Sequence, residues 1–104
     1  MGIRVALDKR RLAEFCRKWQ IREFALFGSV LRADFRPDSD VDVLVTFAPG
    51  AAWSLFDVVT MEDELSGIIG RRVDLVTRRA IERSENWLRR DAILATAEPV
   101  HVEG

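Results

Sequence analysis

Two aspartates one residue apart, Asp40 and Asp42, stand at the head of the apolar run Val41 to Phe47. In an extended strand, side chains at i and i+2 share a face, so the two carboxylates would lie together while Val41, Val43 and Val45 face the other way. Carboxylates that close repel one another, and a divalent cation relieves the repulsion. A third acid, Asp74, interrupts another apolar run between Val73 and Leu75. An aspartate is costly there unless it faces a partner or a solvated cleft. Three acidic groups on neighbouring strands would make a cage for one or two Mg²⁺. That arrangement aligns an attacking hydroxyl and a leaving pyrophosphate for in-line phosphoryl transfer. Taken singly, Asp40 reads as a turn residue and Asp74 as an edge-strand charge; the spacing of all three favours the metal.

Upstream of the aspartates, Gly28-Ser29 ends the apolar run Ile21 to Phe27. Glycine admits close approach of the backbone to a ligand, and free amides at the start of a helix attract anions, so this pair suits a triphosphate tail. A Gly-Ser pair alone is an ordinary turn. Arg32, one turn further along, is placed either to reach a phosphate or to pair with Asp34 or Asp38.

These residues need strands and helices to hold them. Asp8 caps a helix whose apolar positions Leu12, Phe15, Cys16 and Trp19 follow helical spacing. A first strand covers Ile21 to Phe27, a short helix Val30 to Ala33, and a polar turn around Pro37 leads to a second strand, Val41 to Phe47. A helix from about Ser54 to Ile69 follows, with Leu55, Val58, Val59, Leu65 and Ile69 facing inward, Glu62 to Glu64 outward, and Gly70 at its end. Trp53 and Phe56 read as core, with a partner surface as the other reading. Arg72 to Thr77 is a third strand. Helices over about Arg78 to Ser84 and Trp87 to Ala97 come next, the latter capped by Asn86 and stopped by Pro99. Val100 to Val102 is either an edge strand or tail. The order implies an α/β (α+β) fold with a small mixed sheet of three to four strands and helices packed on it. A helix-length crossover makes strands two and three parallel if adjacent, while the first two can pair either way.

Residues 1–104 form one domain, long enough for a single core. Apolar residues at 48% and charged residues at 32% are globular composition. A net charge of −1 gives no global pull toward nucleic acid or anionic lipid. Only Lys9 and Lys18 are lysines, so arginine carries nearly all the positive charge. The single cysteine, Cys16, lies on the apolar helix face and reads as core, which points to a reducing, cytoplasmic setting with no membrane span. The lone histidine, His101, reads as a surface or edge residue rather than a general base.

The stretch GSVLRADFRPDSDVD resembles the signature of the DNA polymerase β-like nucleotidyltransferases: glycine-serine, ten residues, then Asp-x-Asp. The preceding LF, the arginine of GSVLR, the PDSDVDVLV run and the later RRVDLVT resemble its minimal nucleotidyltransferase branch. The resemblance implies the polymerase β-like fold, Mg²⁺, ATP or another nucleoside triphosphate, and nucleotidyl transfer to a hydroxyl. It implies that Asp40, Asp42 and Asp74 are the catalytic metal ligands and that Gly28, Ser29 and Arg32 bind the nucleotide. The branch usually has glycine after the motif arginine, where this chain has Ala33. Members of the branch are commonly antitoxins paired with a helical HEPN-type toxin, some of which they modify with AMP on tyrosine. The sequence holds no tyrosine, so such a target lies in trans. A binding antitoxin that masks its toxin without catalysis, and a nucleotide-binding regulatory module, are the alternatives.

Overall fold

The computed structural model describes residues 7–28 and 40–102. The expected helix Val30 to Ala33 and the turn around Pro37 lie outside the described residues.

Helix α1 (Lys9–Lys18) begins where the sequence places its cap, with the Asp8 carboxylate accepting the Arg11 N–H at 3.2 Å. Its stripe of Leu12, Phe15 and Cys16 is buried. Strands β1 (Ile21–Phe27) and β2 (Val41–Phe47) pair antiparallel, the alternative left open by their short connection. Helix α2 (Leu55–Ile69) opens on a reciprocal capping box between Ser54 and Asp57 and closes on Gly70, which takes a left-handed φ of 77°. It crosses over to β3 (Val73–Thr77), which runs parallel to β2 as the crossover requires. Two short helices follow, α3 (Arg78–Glu82) and α4 (Trp87–Thr96), capped by Thr77 and Asn86.

The chain returns as β4 (Glu98–Val102), an edge strand antiparallel to β1. Helix α4 ends at Thr96 with Ala97 as its C-cap, two residues before Pro99 as expected, and Pro99 itself lies within β4, whose pairing with β1 begins at Glu98. Proline is tolerated there because an edge strand has one unpaired side. The sheet order is β3-β2-β1-β4.

Strand alternation divides the core in two. Val41, Val43 and Val45 join Phe24, Leu26, Val73 and Leu75 under α1 and α2. On the opposite face, Ala25, Phe27 and Leu44 pack against Ile81 of α3 and Ile93 of α4. Within α2 the buried residues are Met61, Leu65 and Ile69. Val58 packs partly against the same core. Leu55 and Val59, expected inward, are 82% and 54% exposed, and Phe56, expected in the core, is 84% exposed. A helix turns about 100° per residue. That rotation carries Val59 and Phe56 off the Met61–Leu65–Ile69 stripe, and Leu55 sits at the helix entrance. Trp53 is half-buried, its indole edge-on to Trp19 with ring centres 5.1 Å apart.

Candidate active site

Asp42 is the second residue of β2, and its neighbours on both sides follow from register. It pairs with Phe27 of β1 and with Asp74 of β3. Registered residues of adjacent strands project from the same face, and the strands are about 4.8 Å apart, so the two carboxylates emerge side by side. They lie on the Leu44 face, away from the α1–α2 core, because Val41 and Val43 are fully buried on the other side. Asp42 is half-buried and Asp74 exposed; Asp40, also exposed, immediately precedes β2. The fold thus brings Asp42 and Asp74 together and leaves Asp40 at the strand's entrance.

The end of β1 approaches the same carboxylate. Gly28 has a φ of +75°, and a Cβ built on it would fall on the Asp42 carboxylate oxygen. Any side chain here collides with Asp42 and strains the backbone, so glycine meets two requirements at once. Ser29 and Arg32, expected to contact phosphates, lie outside the described residues.

Sequence reasoning passed over Glu62. Expected to face solvent, it is half-buried, and its Oε2 accepts the Leu75 N–H at 2.9 Å, one residue past Asp74. Helical spacing places it on the flank of the α2 stripe, but only the sheet order shows that β3 offers an unpaired amide there. Glu64, on the opposite flank, accepts Lys18 Nζ at 2.7 Å and Trp19 Nε1 at 3.0 Å. The hydrogen bond from Lys18, then that from Trp19, holds the Glu64 carboxyl below the usual glutamate range, with burial opposing. His101 lies half-buried on the edge strand β4.

Among the described residues no three acidic, histidine or cysteine side chains converge into a complete metal cage. The donor chemistry still suits Mg²⁺, which is held by one or two carboxylates and completes its shell with water and substrate phosphates. Elsewhere, a cavity of about 370 Å³ lined by Phe47, Ala51, Trp53, Val58, Thr77 and Arg79 carries a single cation and no carboxylate. No helix among the described residues is long and apolar enough to cross a membrane.

Comparison with known proteins agrees with this geometry. Residues 9–98 match the nucleotidyltransferase domain family. Protein adenylyltransferase MntA of Thermococcus cleftensis is 36% identical over 74 residues, which span 71% of this chain and 70% of that protein. A toxin–antitoxin crystal structure with AMP-PNP superposes with a TM-score of 0.68 at 19% identity, covering 89% of this chain and 72% of that one. A complex of tri-AMPylated Shewanella oneidensis HEPN toxin with its MNT antitoxin gives a TM-score of 0.58 at 17% identity, covering 88% of this chain and 66% of that one. At those identities the two structures establish the fold. With 90 matched residues and a relative at 36% identity, this chain belongs to the nucleotidyltransferase domain family, in the branch that holds the protein adenylyltransferases.

Proposed function

We propose that this chain is a Mg²⁺-dependent nucleotidyltransferase that moves AMP from ATP to a hydroxyl of a HEPN-type partner protein and thereby serves as the antitoxin of a toxin–antitoxin pair. The observation that carries the reading is the register of Asp42 against Asp74 with Gly28 closed down on the Asp42 carboxylate. Family membership and the adenylyltransferase relative support the reaction class.

In the reaction, the acceptor oxygen bonds to the α-phosphorus, the bond to the bridging oxygen breaks, and pyrophosphate leaves with its electron pair. Asp40, Asp42 and Asp74 would hold the cation, which when bound neutralises phosphate charge and stabilises the leaving pyrophosphate. Asp74, the exposed member of the registered pair, is accessible to an incoming acceptor and helps take its proton. Gly28 lets the backbone approach the phosphates without a side chain intervening. The Ser29 hydroxyl and neighbouring amides bind the triphosphate, and Arg32 adds positive charge to it. Because the sequence holds no tyrosine, a tyrosine acceptor must come from the partner.

The test is transfer of labelled AMP from ATP to the purified partner by wild type and by the Asp40→Ala plus Asp42→Ala variant, with mass spectrometry locating the adduct. Label on the partner that drops at least about a hundredfold in the variant is the expected result. Equal silencing of the partner by both proteins without any label would instead make this a masking antitoxin.

A further inference from the structure

We propose that Glu62 is a positioning residue for Asp74, fixing the outer edge of β3 so that Asp74 stays beside Asp42; the inference rests on the transferase reading of that site. β3 ends the sheet, so it is paired on one side only. Val41 donates its N–H to the Arg72 carbonyl at 2.9 Å. Bonding residues alternate along a parallel ladder, so residues 72, 74 and 76 turn toward β2 and the Leu75 N–H turns outward. That N–H is the group a further strand would claim. The Glu62 carboxylate takes it at 2.9 Å. A hydrogen bond to an ionised acceptor is roughly twice as strong as a neutral one.

The consequence falls on the neighbouring residue. The peptide joining Asp74 to Leu75 is held by β2 on one side and by Glu62 on the other. Without Glu62, the strand carrying an exposed carboxylate is anchored along one edge, where local opening is easiest. Because α2 is the crossover between β2 and β3, Glu62 also ties that helix back onto the strand it leads into. Glu62 bonds backbone rather than reacting groups, so its effect on Asp74 is one of placement.

The test compares the full chain carrying Glu62→Ala or Glu62→Gln with wild type by three measurements: exchange of the Leu75 amide by NMR, Mn²⁺ affinity by electron paramagnetic resonance, and AMP transfer to the partner. In Glu62→Ala the Leu75 amide should exchange faster, Mn²⁺ affinity and kcat should each fall about tenfold, and KM for ATP should stay within about twofold. Glu62→Gln, which keeps a neutral oxygen acceptor, should recover roughly half of each loss on a logarithmic scale. Faster exchange with unchanged Mn²⁺ affinity and kcat would overturn the proposal, as would equal losses in both variants. A wild type that transfers nothing, while Mn²⁺ affinity still follows the Ala and Gln pattern, would reject the transferase reading and leave the placement of Asp74 by Glu62 standing. A wild type that neither binds Mn²⁺ nor transfers AMP would reject both.

Discussion

At Gly28 two constraints meet in one residue, and they separate on mutation. The positive φ makes a side chain unfavourable in any surroundings, whereas the collision with the Asp42 carboxylate also displaces that group, and the displacement shows in activity if the carboxylate has work to do. Gly28→Ala is therefore expected to cost about 1–2 kcal/mol of stability from backbone strain, read as a lower midpoint in urea. The displaced carboxylate should lower AMP transfer by more than the folded fraction falls, measured at a temperature where the variant remains native. The sequence marked Gly28 through its place before Ser29, the pair being followed after ten residues by Asp40. Its contact with Asp42 was not legible there, because it depends on β1 and β2 running antiparallel in one particular register.

Among the elements, α1 and α2 meet through Glu64, which ties Lys18 and Trp19 to the second helix. Its carboxyl is held below the ordinary value of 4.5, so the contact contributes fully above that value and fades as pH falls through the lowered one. Wild type should thus exceed Glu64→Gln in stability near neutral pH, and the gap should close on acidification below about pH 4.5, followed by urea unfolding across the range. The carboxylate and ammonium side chains are 34% and 58% exposed, which limits the neutral-pH gap to about 1 kcal/mol. Element existence was legible: α1 carries a helical stripe, β1, β2 and β3 are short apolar runs, and Asp8, Asn86 and Gly70 mark helix ends as expected, with Ser54 at the start of α2. The facing of α2 was not. Leu55, Phe56, Val58 and Val59 form an apolar cluster wider than the stripe that the sheet can cover, and Glu62 and Glu64 look like solvent-facing charges until the neighbours on each flank are known.

For the molecule as a whole, the sheet order decides which apolar residues support the fold. Met61, the first residue of the buried α2 stripe, is fully buried, whereas Leu55 and Phe56 are more than four-fifths exposed. Met61→Ala should cost about 2–5 kcal/mol, while Leu55→Ser and Phe56→Ser should each change stability by less than about 0.5 kcal/mol in chemical denaturation. The acidic part of the candidate site was legible in outline because Asp-x-Asp and Asp74 interrupt apolar strands in a regular way. Its assembly was not: the apposition of Asp42 and Asp74 is a property of the parallel pairing across α2, which sequence spacing allows but does not determine.

The contact between Trp19 and Trp53 has a consequence for observing this protein. Their rings meet edge-on at 77° across the α1–α2 joint, and the Trp53 indole donates to the Trp19 carbonyl at 3.0 Å. Indoles this close couple their electronic transitions, which gives a circular dichroism band that vanishes when the two rings part. Trp87, 58% exposed on α4, emits from a watery environment whether or not that joint is intact. The chain therefore carries its own optical gauge, with a coupled pair reporting one seam of the fold and a third indole supplying the steady background.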